Sequence, residues 1–204
     1  LDRAGLVGED GATHHGVFDL ASMLPIPNMT VLAPRDLQEL GLMVRWTERM
    51  DGPCAIRYGK HSVDMRETYP CREFTPGKWE LMEDGPDAAL LAVGSMVESA
   101  LEMRELLAKH HLHVAVVNCS TVKPMDEDML RRMNDRPIIT LEEHVLTGGF
   151  GAAVCAWCVG EELRPPVLSL GVPDTFVQHG DREQLLKYLG FSLDDIREMI
   201  IDDT

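Results

Sequence analysis

From residue 88 onward, short apolar runs alternate with segments whose apolar residues recur every three or four positions. "AALLAVG" (88–94), "HVAVVNC" (113–119), "PIITLEE" (137–143) and "PVLSLGV" (166–172) read as strands. Between them, 96–110 sets Val97, Leu101 and Leu106 on one side of a helix. A short helix is predicted over 126–133, and "GGFGAAVCAWCVG" (148–160) reads as a helix opened by glycines. "REQLLKYLG" (182–190) and "LDDIREMI" (193–200) predict two short closing helices. Strands separated by helices imply βαβ units and a parallel sheet covered on both faces.

The first part of the chain is less regular. "VFDLASML" (17–24) predicts a short helix stopped by Pro25 and Pro27. "TVLAP" (30–34) and "CAIRY" (54–58) are strands. Between them Asp36 is an N-cap for a helix through Met50, with Leu37, Leu40, Met43 and Val44 at helical spacing. Residues 59–86 lack periodicity and are rich in turn formers, so they predict a linker with an edge strand at 79–82. The pattern divides the chain into residues 1–78 and 86–204, both of α/β type.

Composition narrows the function. With 45% hydrophobic residues among 204, the chain has material for a core. Thirty-four acidic against nineteen basic residues give a formal charge of −15, which argues against a nucleic-acid binder. No run approaches the ~20 apolar residues of a membrane span, and no signal peptide is visible. The five cysteines are odd in number and lack framework spacing, so reduced thiols and a cytoplasmic setting are expected. Cys155 and Cys158 form a CxxC, but within an apolar helix they read as packing residues. The chain opens on Leu1-Asp2-Arg3 without a methionine, as a piece of something longer would.

"GEDGATHHG" (8–16) stands out, with two carboxylates, two imidazoles, a hydroxyl and three glycines in nine residues. It cannot anchor a core. A strand ending near Arg3 would deliver it to the carboxyl-end rim of an α/β sheet, where ligands bind. The residues leave three readings open. Asp10 and His14 handle a proton or bind substrate hydroxyls; Glu9, Asp10, His14 and His15 hold a metal; or the loop is solvated and inert. Asp10 and His14 are four apart, so a helical turn or a bend has to bring them together. His110, His111 and His113 read as a solvated junction, and Glu142, Glu143 and His144 mark another rim position.

"LDRAGLVGEDGATHHGVFDLASMLPIPNMTVLAPRD" resembles the pyrimidine-binding domain of the 1-deoxy-D-xylulose-5-phosphate synthases, thiamine-diphosphate enzymes of the transketolase superfamily. "DRAG" before the loop and "HGVFD" after it favour the synthases over transketolases proper. "GPCAIRYGK", "STVKPMDEDML", "EEHVLTGGFGAAV" and "LGVPDTFVQHG" extend the resemblance through the C-terminal region. It implies a partial pyrimidine-binding domain followed by a transketolase C-terminal-type α/β domain with a mostly parallel sheet.

The resemblance further implies condensation of pyruvate with glyceraldehyde 3-phosphate, in a homodimer using thiamine diphosphate and Mg2+. The cofactor would be held mainly by an N-terminal portion outside this chain, which alone is then expected to be inactive. Asp10 and His14 fall on catalytic positions and Arg3 on a substrate-binding one. After "IRY" the family carries an arginine for the substrate phosphate, where this chain has Gly59 and Lys60; lysine keeps the charge but loses the fork. Arg57 is a possible substitute, or else the partner of a buried carboxylate. The competing assignments are a transketolase or 2-oxoacid dehydrogenase subunit, and a non-catalytic dimerisation module.

Overall fold

The computed structural model describes residues 1–60, 65, 68–71 and 73–190. The helix expected at 193–200 lies outside them. Fourteen regular elements follow a 3₁₀ turn at Gly8–Asp10: α1 (Asp19–Met23), β1 (Thr30–Leu32), α2 (Leu37–Thr47), β2 (Cys54–Ile56), β3 (Glu80–Pro86), β4 (Ala88–Ala92), α3 (Met96–Ala108), β5 (Val114–Asn118), β6 (Thr121–Lys123), α4 (Glu127–Met133), β7 (Ile138–Val145), α5 (Phe150–Gly160), β8 (Val167–Val172) and α6 (Arg182–Tyr188).

The second half builds the predicted sheet. Its order is β3-β5-β4-β7-β8; β5, β4, β7 and β8 are parallel, and β3 runs antiparallel on the β5 edge. Side chains of β4 alternate between two cores, as a strand buried on both faces requires. Ala89 and Leu91 join Phe150 and Val154 of α5 and Leu130 and Met133 of α4. Ala88, Leu90 and Ala92 face Val97, Ala100, Met103 and Leu107 of α3. Each fully buried leucine is worth about 2 kcal/mol. The inward face of α3 differs from the expected one: Leu107 is buried and Leu106 is exposed. The 97-100-103-107 series keeps closer to a single stripe than 97-101-106 does.

The first sheet is smaller and mixed. β2 and β1 are parallel, and β6, from the far half of the chain, adds antiparallel to β1. Alternation alone gives no sign of that exchange. Asp36 caps α2 as expected, accepting from the Glu39 amide at 2.8 Å, and Glu39 reaches back to the Arg35 amide at 2.7 Å. The predicted apolar stripe of α2 is partly wrong. Glu39 and Met43 point inward, while Leu37 and Val44 are exposed. The capping pair and the Glu39 bond to Asn118 (2.9 Å) turn the helix that way.

No strand forms at the amino end. Instead residues 1–4 lie along the end of β2: the Leu1 amine donates to the Ile56 carbonyl, Tyr58 N–H to Leu1, and Ala4 N–H to Tyr58. Cys158 sits in the core and Cys155 is half-buried; both are free thiols. No helix among the described residues is long and apolar enough to cross a membrane.

Candidate active site

The polar loop is closed at its base by two reciprocal hydrogen bonds, Gly5 N–H to Gly16 O and Gly16 N–H to Gly5 O, each 2.9 Å. Gly5 has φ +77°, and a Cβ there would fall 2.4 Å from Glu143 Oε2. Only glycine meets both conditions. Between these points the chain makes the 3₁₀ turn at Gly8–Asp10, and a second turn in which the His14 and His15 amides donate to the Gly11 carbonyl.

That double turn brings together the residues singled out from the sequence. Asp10 Oδ2 accepts from Lys60 Nζ at 2.9 Å, with both side chains partly exposed. The Lys60 ammonium holds the Asp10 carboxyl below its usual range, and the charges of His14 and Arg3 reinforce it. His14 is exposed, with Thr13 Oγ1 2.9 Å from its Nδ1, and among the described residues its Nε2 has no partner. Arg3, at φ 62°, is exposed too. Among the described residues it has no carboxylate at ion-pair distance, Asp2 and Glu9 included.

His15 behaves differently from its neighbour. It is 7% exposed, its Nδ1 accepts from the Val7 amide at 3.0 Å, and its Nε2 donates to Gln178 O at 3.3 Å. This inward turn takes His15 away from Glu9, Asp10 and His14, the other residues of the metal reading. Among the described residues, no group of three or more His, Cys, Asp or Glu is arranged to hold a metal ion. His110, His111 and His113 are exposed at their junction. The loop borders a cavity of about 240 Å³ lined by Val7, Gly8, Glu9, Lys60, Gly180, Asp181 and Arg182. Two larger hollows, of about 480 and 520 Å³, lie beside Glu39 and between α3 and α6. Neither is lined by residues of the polar loop, whereas the smaller cavity is lined by Gly8 and Glu9 of that loop and by Lys60, the partner of Asp10.

Arg57 does not take the missing arginine's place. Its Nε donates to Asp19 Oδ2 at 2.8 Å, and its Nη2 spans the Gly16 and Glu143 carbonyls at 3.3 and 3.4 Å. The rim motif Glu142-Glu143-His144 is buried. Glu142 accepts from the Phe150 and Gly151 amides at 2.6 and 2.8 Å, capping α5, whose own N-cap is a glycine. Burial nevertheless raises its pKa to about 7. His144 Nδ1 donates to Val145 O and its Nε2 accepts from the Ala21 amide, while burial lowers its pKa. It is therefore a neutral structural imidazole. Arg182, Gly180 and the role of Glu143 were not legible from the sequence. They reach the loop from more than a hundred residues away.

Residues 1–65 match the family model for the transketolase pyrimidine-binding domain, and residues 77–196 that for the transketolase C-terminal domain. The chain belongs to the transketolase family. Among curated relatives, this transketolase-family chain is 39% identical to the 1-deoxy-D-xylulose-5-phosphate synthase of Clostridium acetobutylicum, over 98% of its own length and 33% of the relative's. It is 41% identical to that of Aquifex aeolicus, over 99% of its own length and 32% of the relative's. It thus spans about a third of the curated relatives it matches. A solved split-gene transketolase, described as an inactive β4 tetramer, superposes with a TM-score of 0.81 at 30% identity, over 94% of this chain and 62% of that one. The transketolase of Campylobacter jejuni superposes at 0.73 with 20% identity, over 99% of this chain and 30% of that one, and so speaks for the fold alone.

Proposed function

We propose that this transketolase-family chain is the pyrimidine-binding and C-terminal part of a 1-deoxy-D-xylulose-5-phosphate synthase, divided near residues 1–78 and 86–204. The observation that carries the reading is the gathering of Lys60, His14 and Arg3 around Asp10, beside a cavity that Lys60 and Glu9 help to line. The whole enzyme would join C2 of pyruvate to the aldehyde carbon of glyceraldehyde 3-phosphate. The pyruvate carboxylate leaves as CO2 and the former aldehyde oxygen takes up a proton. Thiamine diphosphate, when bound, supplies the electron sink for that decarboxylation. Donors for a magnesium diphosphate are expected mainly outside this chain. Those donors come from the remainder of the polypeptide in this reading, and a cytoplasmic homodimer, inactive without that remainder, is the form expected.

The roles of this chain's own side chains follow from their chemistry. Asp10, kept ionised by Lys60, accepts hydrogen bonds from acceptor hydroxyls. His14 donates from Nε2 to the developing alkoxide, with Thr13 at Nδ1 orienting the ring. Arg3 and Lys60 attract the phosphate, Lys60 as a point charge lacking the bidentate fork. The test is complementation of this chain with the remaining portion of a relative, assaying pyruvate-dependent C–C bond formation. His14→Ala is expected to lower kcat by about 10²-fold or more. Turnover unaffected by that change, or turnover that uses a ketose phosphate in place of pyruvate, overturns the assignment.

A further inference from the structure

Glu143 is 4% exposed and lies directly beneath the base of the polar loop. Its Oε1 accepts from Arg182 Nε at 2.7 Å and its Oε2 from Ser95 Oγ at 2.8 Å. Its side chain occupies the space that a Cβ on Gly5 would need. Because Gly5 and Gly16 exchange two hydrogen bonds, whatever holds Gly5 holds both ends of the segment carrying Asp10 and His14. Arg182 adds a second restraint. It terminates a stretch that grips the same loop from the side, through Gly180 N–H to Gly8 O at 3.2 Å and Gln178 O to His15 Nε2 at 3.3 Å. Glu143 is the only hydrogen-bonding partner of Arg182 among the described residues, and one guanidinium nitrogen, Nη2, is buried without a partner.

We propose that the Glu143–Arg182 pair, contributed by the second half of the chain, is a positioning device that sets where the first half holds Asp10 and His14. Neither residue touches reacting atoms. A buried carboxylate with both oxygens engaged has one low-energy place to be, and the loop base is seated on it. The C-terminal half is thereby part of the site and not only a support for assembly. The catalytic significance of this device rests on the function proposed above, but its geometry does not.

The test uses this chain and does not require turnover. The Asp10 carboxyl titration, read by carbon NMR, reports its distance from Lys60, and the amide exchange of Gly5 and Gly16 reports closure of the loop base. In Glu143→Gln the Asp10 midpoint is expected to move up toward the ordinary carboxylate value, with amide protection at Gly5 and Gly16 falling tenfold or more. Arg182→Gln, which leaves Glu143 bonded to Ser95, is expected to give the same changes at smaller amplitude; it also serves if Glu143→Gln does not fold. Leu130→Ala on α4, which makes none of these bonds, is expected to lower global stability while leaving the Asp10 midpoint unchanged. An Asp10 midpoint and loop protection equal to wild type in both pair variants overturns the proposal. So does an identical Asp10 shift in Leu130→Ala. If His14→Ala leaves complemented turnover intact while the pair variants shift Asp10, the functional reading fails and the positioning device stands.

Discussion

Alanine at Gly5 confronts two separate costs, and their sizes can be worked from the structure. The backbone there has φ +77°, a region that costs an L-residue about 1–2 kcal/mol. The new methyl would lie 2.4 Å from Glu143 Oε2 and 2.7 Å from Glu143 Cβ, so the carboxylate has to leave Arg182 and Ser95. Losing one partner of a buried ion pair costs about 3–5 kcal/mol. Together the expected loss is about 4–7 kcal/mol, comparable with the whole stability of many domains.

Gly8→Ala is the matched control. Its φ is +70°, but its Cβ meets nothing nearer than Gly180 O at 3.2 Å. Only the backbone penalty of about 1–2 kcal/mol should remain. Guanidinium unfolding followed by tryptophan fluorescence compares the two. In a Glu143→Gly background, Gly5→Ala is expected to fall to the Gly8→Ala cost, since both the carboxylate and the Cβ that obstruct it are gone. Equal losses for the two alanine variants in the wild-type background, to within about 1 kcal/mol, would refute the steric argument.

Burial raises Glu39 from an ordinary 4.5 to about 7. Between those values the folded state binds the extra proton, so its contribution to stability is complete below 4.5 and is lost as the pH rises to about 7. Glu39→Gln removes that titration, and the unpartnered Asn118 Oδ1 can accept from the new amide. The variant should therefore gain about 3 kcal/mol on wild type between pH 4.5 and 8 by denaturant titration; a pH-independent difference would count against it. The cysteines supply a kinetic prediction. Burial raises the Cys119 and Cys158 thiols, while Cys155 is half-buried, so iodoacetamide should label Cys155 before either of them in the native protein. Mass spectrometry would expose the reverse order. For the acceptor phosphate, Lys60→Arg restores the fork and is expected to lower its KM about tenfold in the complemented enzyme; an unchanged KM would remove Lys60 from phosphate binding.

Much of the fold was legible along the chain because its rules are local. The apolar runs at 88–94, 113–119, 137–143 and 166–172 each became a strand of one parallel sheet. Asp36 capped α2 as its position predicts. The loop at 8–16 was conspicuous because nothing in it can be buried cheaply; Asp10 and His14 were singled out within it, and Lys60 by the family resemblance. Residue type alone could not separate His14 from His15. One faces solvent, and the other is turned inward by the Val7 amide and the Gln178 carbonyl.

What only the tertiary structure decided are contacts between residues far apart in the chain. The exchange of β6 into the first sheet, the inward turn of Glu39 toward Asn118, and the seating of Gly5 on Glu143 depend on where distant backbones lie. Propensity, periodicity and capping act over a few residues and leave their marks in the sequence. A hydrogen bond across 39 residues, like that of Glu143 with Arg182, leaves none until the sheet has brought its two ends together.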